Sequence, residues 1–307
     1  VIVATSGAQK ALLQGEFPFL SFVELMGYNV KYGKNRALTL LKIITLIPEI
    51  LIQIKHENNW LRQFMAIEKV DAVIADNRYG LYGKGIYSVF MTHQLCIKSS
   101  AGRMADRLLQ RIHYRAINRF SLCWVPDEDG KNGLAGDLSH PGKMPHIPVR
   151  YIGALSRFEA CDPEEKVGRT EPRNPLLLIL LSGPEPQRTI LEKKILEQLP
   201  AYPGNAILVR GLPGQTDLAA EVRPGLQIYD HLPSSELNRV ICEAGLVISR
   251  PGYSSVMDLL KLGKKCVFIP TPGQTEQEYL GVHLAGRGLA ICLPQRKFSL
   301  LSALAAA

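Results

Sequence analysis

The sequence predicts an α/β protein of two doubly wound domains, and three observations predict it. First, short β-branched, continuously apolar runs recur along the chain, and such runs mark strands of a parallel sheet covered on both faces. Second, segments with helical spacing separate them, which is the alternation of βαβ units. Third, 307 residues suit two domains of ordinary size, and no fixed-period repeat diverts the reading to a solenoid.

In the first half the runs are VIVAT at 1–5, DAVIA at 71–75, IYSVFM at 86–91 and SLCWV at 121–125. In the second they are PLLLILL at 175–181, AILVR at 206–210, LQIYD at 226–230, LVISR at 246–250, CVFIP at 266–270 and LAICL at 289–293. A stretch rich in Gly, Pro and Asp at 127–148 separates the two sets, and the hinge is expected between Ile152 and Pro175. The division is therefore 1–152 and 153–307, with ligands expected at the strands' carboxyl ends, in a cleft that the two domains face. The chain opens on what reads as a domain's second strand. A βαβ unit takes roughly 30 residues, so about that much is expected upstream, and the abrupt end at FSLLSALAAA suggests continuation there as well.

Charge is uneven. Residues 1–150 carry 19 Lys and Arg against 12 Asp and Glu, whereas residues 151–307 carry 17 against 16. The basic surplus of the first half points to an acidic partner. The arginines of RMADRLLQRIHYRAINRF (Arg103, Arg107, Arg111, Arg115 and Arg119) recur every four residues and form one ridge on a helix. With the amphipathic stretch from Leu38 to Ile54, that ridge suits an anionic membrane surface or a pyrophosphate-bearing lipid; a solvated charged face explains it equally well. Nucleic acid is not expected, since no aromatic-basic interleaving appears. Lys42, Pro48 and Glu49 interrupt the longest apolar stretch, so no transmembrane helix is expected. The six cysteines are scattered without a C-x-x-C pair, which argues against a disulfide framework or zinc site and for a cytoplasmic location, peripheral on the inner membrane face where the ridge attaches.

The most informative stretch is VISRPGYSSVMDLLKLGKKCVFIPTPGQTEQEYLG, from Val247 to Gly281. Gly252 lets the backbone approach a ligand, and the N–H groups after it, with the Ser254 and Ser255 hydroxyls, form a phosphate seat. Asp258, one turn on, suits a ribose, and Glu276 with Gln277 suits sugar hydroxyls. Each of these is also an ordinary helix-start residue. Their conjunction at successive strand ends favours a ligand.

The run S-R-P-G-Y-S-S-x-x-D, followed after a strand by P-T-P-G-Q-T-E-Q-E-Y, resembles the donor-domain signature of the GT-B glycosyltransferases of family 28. The resemblance covers most of residues 150–295. It implies a GT-B fold and transfer of a hexose-type sugar, N-acetylglucosamine or similar, from a UDP donor to an acceptor hydroxyl with inversion. It also implies that the Gly252 turn, with Arg250 in the same motif, holds the diphosphate, that Asp258 holds the ribose, and that Glu276 and Gln277 contact the sugar. The turn S-G-P-E-P-Q-R after the strand at 176–181 resembles the family's first diphosphate loop, which makes Ser182, Gly183 and Arg188 candidates; Arg210 would reach the same phosphates, and His231 and Leu232 would line the uracil pocket.

Two loops of the first half, after Ala75 and Met91, place Asp76 and His93 at strand ends. In the resembling family such loops hold the acceptor, and a His-Glu dipeptide stands near His93, where this chain has His93-Gln94. Inverting transfer needs a general base, and His93 and Asp76 are the candidates. Asp127-Glu128-Asp129 has the form of a metal-binding D-x-D but reads as a solvated acidic turn at the start of a linker. No metal or cofactor is expected beyond the UDP-sugar substrate. Two alternatives stand: a UDP-sugar epimerase of the same architecture, and a nucleotide-sugar-binding module without turnover.

Overall fold

The computed structural model describes residues 1–27, 39–99, 102–130, 132–161, 175–212 and 220–307. Its elements in chain order begin with β1 (Ile2–Thr5), α1 (Gly7–Glu16) and β2 (Ser21–Glu24). Then come α2 (Thr39–Ile67), β3 (Ala72–Asp76), β4 (Tyr87–Met91), α3 (Arg103–Ile117), β5 (Leu122–Val125) and β6 (Val149–Tyr151). The second half contains β7 (Leu177–Leu180), α4 (Gln187–Gln198), β8 (Ala206–Val209), β9 (Ala220–Arg223), β10 (Leu226–Tyr229), α5 (Ser234–Glu243) and β11 (Leu246–Ser249). It closes with α6 (Tyr253–Lys261), β12 (Cys266–Phe268), α7 (Thr275–Gly286), β13 (Ile291–Cys292) and α8 (Leu300–Ala306). All ten apolar runs contain strands. The chain divides into two compact units, Leu25–Leu155, and Val1–Glu24 together with Ser156–Ala307.

The larger unit holds a seven-stranded sheet of order β13-β12-β11-β7-β8-β10-β9. Every pairing is parallel except β9 with β10, so only the edge strand departs from the expected pattern. The four residues of β8 and of β11 are all buried, as are all three of β12. This is why these strands read as unbroken apolar runs: helices cover both faces. Leu177, Ile179, Ile195, Ile248, Val267 and Phe298 centre the core. β1 and β2 pair in parallel as a separate two-stranded ribbon.

The Leu25–Leu155 unit holds four parallel strands in sequence order, β3-β4-β5-β6. α2 clamps the loop after β3. The buried Glu57 accepts from Arg78 Nε at 2.8 Å and from the Gly80 N–H at 2.9 Å, and Asn58 Nδ2 donates to the carbonyls of Gly80 and Tyr82. A Cβ on Gly80 would fall 2.4 Å from both the Glu57 Cβ and the Ile54 carbonyl, so helix and loop meet only because this residue is glycine. The apolar stretch from Leu38 falls largely within α2; among the described residues no helix is long and apolar enough to cross a membrane.

Three expectations are corrected here. Asp127 is not solvated. Fully buried, it accepts from the N–H groups of Glu128, Leu134 and Ala135 and from Ser139 Oγ at 2.6–3.0 Å, and so organises the loop after β5. Second, Cys161 and Cys242, 81 residues apart, form a disulfide across a Cα–Cα distance of 5.4 Å. Spacing along the chain could not show it, because only the fold brings the two together. Third, α3 ends at Ile117, so Arg119 lies outside the expected ridge; its guanidinium donates to Tyr82 Oη at 2.9 Å and lies over the Tyr82 ring. Arg107, Arg111 and Arg115 are exposed on the helix, and the Arg103 side chain lies outside the described residues.

Behind the β3 loop, His113 is buried against Tyr79 and Phe90, its Nδ1 2.8 Å from Tyr79 Oη. Burial pushes the Tyr79 hydroxyl up to about 12. Burial lowers the His113 pKa from 6.5 to about 4, with the Gln94 backbone partly offsetting it. The unfolded chain therefore takes up a proton that the folded chain refuses. Stability should fall by about 3 kcal/mol as pH drops from 6.5 to 4. Urea titrations across that range should show this slope, and H113Q should flatten it.

Candidate active site

Strand order fixes where a site can lie in the larger unit. From β7 the chain runs through α4 to β8 on one side, while from β11 it runs through α6 to β12 on the other. β7 and β11 are neighbours, so the helices leaving their carboxyl ends diverge and open a crevice. A cavity of about 170 Å³ lies there. Ser182 after β7, His231 and Leu232 after β10, and Ser255 and Asp258 on α6 all line it. Sequence reasoning missed Gly211, Arg157 and Phe158, which also line it. Gly211 holds φ +69° with the Leu181 carbonyl where a Cβ would stand, a signal visible only in the backbone.

α6 supplies the anion-favouring end. Its N-cap is Gly252, which brings no capping side chain and faces open space. The positive end of the helix dipole is therefore left without competition from a residue's own oxygen, although Gly252 and Ser254 lie outside the cavity wall and Ser255 is the first α6 residue on it. Ser254 is exposed, and Ser255 is half-buried on the cavity wall. Burial raises the Asp258 carboxyl from its ordinary 3.8, opposed by hydrogen bonds from the Ser156 hydroxyl and the Arg157 N–H and by the Arg157 and Lys261 charges. Gly183 sits at φ +99° with Thr271 Oγ1 3.5 Å from where its Cβ would be, outside the cavity wall.

The arginines are engaged elsewhere. Arg188 is buried, with Nη1 2.6 Å from Glu192 Oε2 and Nη2 2.6 Å from Glu185. Arg210 spans Glu192 and Asp230, each at 2.7 Å. Glu192 thus joins two guanidiniums that the motif reading aimed at phosphates. Arg250 is the largest fully buried side chain, donating to the carbonyls of Ile269 and Gln187 at 2.8 and 2.9 Å. Burial lowers its pKa to about 10. It ties the α4 start to the end of β12 and leaves ligand contact to its neighbours. In the first turn of α7, Gln277 Oε1 accepts from the Thr271 N–H and Glu278 from the Gly273 N–H, each at 2.9 Å, holding the loop that opens the helix. Glu276 lies beside them, half-buried.

In the Leu25–Leu155 unit, Asp76 ends β3 and His93 follows β4. Although Asp76 as a residue is exposed, the protein around its carboxyl raises its pKa from 3.8, and nearby His93 pulls it back. The Asp76 carboxyl therefore feels the charge of His93. Asn77, between Asp76 and the clamped loop, adopts φ 52°, the one positive φ at a described non-glycine residue. Among the described residues no group of three or more His, Cys, Asp or Glu is arranged to hold a metal.

Residues 213–307 match the model of the glycosyltransferase family 28 C-terminal domain. Two curated relatives are UDP-N-acetylglucosamine--N-acetylmuramyl-(pentapeptide) pyrophosphoryl-undecaprenol N-acetylglucosamine transferases. The one from Porphyromonas gingivalis is 33% identical over 78 residues, 25% of this chain and 21% of the relative. The one from Haemophilus ducreyi is 26% identical over 196 residues, 62% and 50% of the two chains. These matches span a fifth to a half of the relatives' length. Among solved structures, the glycotransferase of kitacinnamycin superposes with TM-score 0.65 at 14% identity, covering 99% of this chain and 82% of that one. CalG4, the calicheamicin glycosyltransferase, gives 0.61 at 12% identity, with 99% and 81% covered. Acinetobacter baumannii MurG gives 0.50 at 16% identity, with 97% and 77% covered.

Removing the shared carboxylate tests the ion network. E192Q leaves a buried guanidinium short of its counter-charge and should cost about 3 kcal/mol in denaturant titrations. Fold and matched segment agree: the chain has the GT-B glycosyltransferase fold, and its residues 213–307 match the glycosyltransferase family 28 C-terminal domain.

Proposed function

We propose that this chain is an inverting glycosyltransferase that moves a hexose-type sugar, N-acetylglucosamine or a close relative, from UDP to an acceptor hydroxyl. The observation that carries the reading is the crevice between β7 and β11, where Ser182, His231, Leu232, Ser255 and Asp258 converge beside the α6 N-terminus. An apolar wall with a carboxylate, hydroxyls and a helix dipole matches a nucleoside diphosphate part by part. Leu232 and His231 take the base, Asp258 accepts from the ribose hydroxyls, and the hydroxyls and amides around Gly252 meet the phosphates.

In the reaction the acceptor oxygen attacks the anomeric carbon as the bond to the β-phosphate oxygen breaks. The electron pair leaves with UDP, whose charge the helix dipole stabilises. His93, near Asp76, accepts the acceptor's proton. A lipid-linked pyrophosphate acceptor is supported by the activity of the curated relatives and by the exposed arginines of α3 with exposed Leu51 and Ile52 on α2. These features suit peripheral attachment to an anionic membrane face.

Calorimetric titration with UDP under reducing conditions tests the donor site. D258A should weaken UDP binding by roughly 1–3 kcal/mol, the scale of charged hydrogen bonds, and unchanged affinity would overturn the assignment. H93A tests the base: it should lower turnover about 100- to 10,000-fold while UDP affinity stays the same.

A further inference from the structure

The segment Ser156–Cys161 lies over the same crevice, and its contacts are unusual for a passive linker. Arg157 and Phe158 line the cavity, and Phe158 is buried. The Ser156 hydroxyl and the Arg157 N–H both donate to the Asp258 carboxylate, the group assigned to the ribose. Ser156 Oγ in turn accepts from the Phe158 N–H at 3.1 Å, so the segment is folded back on itself over the acid. Its far end is covalently fixed: Cys161 is bonded to Cys242 on α5, the helix whose Leu237 and Ile241 form another wall of the cavity. At its near end the Arg157 guanidinium lies 3.8 Å from Glu16, which also accepts from Ser234 Oγ at the start of α5.

With the strap in this position the cavity holds about 170 Å³, whereas sites for small organic ligands run from roughly 300 to 1,000 Å³. The crevice that the topology opens is therefore partly filled by the chain itself. A tethered segment competes with a ligand at high effective concentration, and a disulfide at one end keeps it there.

We propose that Ser156–Cys161 is a redox-controlled strap that occupies the nucleotide crevice when Cys161 and Cys242 are bonded and yields it when they are reduced. The proposal rests on the donor-site reading above. In the reductive step a thiolate of a dithiol attacks one sulfur of the bond and displaces the other; the second thiol then resolves the mixed disulfide. The dithiol ends as a disulfide, and its two electrons and two protons leave Cys161 and Cys242 as thiols. Released at that end, the strap lifts Phe158 from the wall and frees Asp258 for ribose hydroxyls. Of the four other cysteines, Cys123 and Cys266 are buried, with thiols pushed up to about 12, and burial also raises the thiols of the half-buried Cys96 and Cys292.

Two measurements on the full chain, with and without dithiothreitol, test the strap. Amide hydrogen exchange at 156–161 should be slow in the oxidised chain and accelerate at least tenfold on reduction. UDP, titrated calorimetrically, should bind at least tenfold more tightly to the reduced chain. C161S should behave as reduced under both conditions, which separates loss of the bond from any other effect of the reductant. Equal UDP affinity in all three forms would overturn the strap and leave the donor site standing. Faster exchange with no UDP binding in any form would overturn the donor reading and, with it, the gate.

Discussion

The reversal of strand order between β7 and β11 is the constraint on which the rest of the larger unit depends. It requires both strands to be central, hence covered on both faces and apolar up to Ser249 at the end of β11. It also requires the helices that follow them to part, which leaves backbone and side chains at the two strand ends without a covering layer. α5, carrying the chain from β10 back across β8 and β7 to β11, then becomes a wall of the opening instead of a lid over the sheet. Fold and site are thus one consequence of how the chain crosses its own sheet.

The polar side chains around the opening do two different jobs. Some face the cavity, as Ser182, His231 and Asp258 do. Others keep the surrounding segments in place: Arg250 joins α4 to β12 through two carbonyls, while Glu192 joins Arg188 to Arg210. A motif read along the chain cannot separate these jobs, because both use the same residue types at the same strand ends. Direction of the side chain decides, and that is set by packing between segments distant in sequence.

What the sequence made legible follows from the same logic. The runs that contain β7, β8, β11 and β12 were legible because burial on the sheet leaves little room for polar residues, whereas β1 and β3 are only partly buried and were legible from their β-branched apolar runs. β2, β6 and β9 were not legible: SFVE and AEVR carry charge, and VRY is too short for a pattern. Ser255 and Asp258 were legible as neighbours on the cavity wall because one local strand-turn-helix unit places both. Arg157 and Phe158 were not, since they reach the cavity from a segment about 100 residues away. The Cys161–Cys242 bond and the Asp127 cradle were illegible for a similar reason, as both depend on partners that only the fold supplies.

The paired state of the arginines bears on how an anionic ligand would arrive. Arg188 and Arg210 share their charge with Glu185, Glu192 and Asp230, and Arg250 lies beneath the surface. Little uncompensated positive field then extends from them into solvent, and what attracts a diphosphate is the short-range dipole of α6 and its neighbouring hydroxyls. These three arginines therefore add little long-range steering to the encounter, and salt would act on the seat mainly through Arg157, which lines the cavity with its side chain partly exposed.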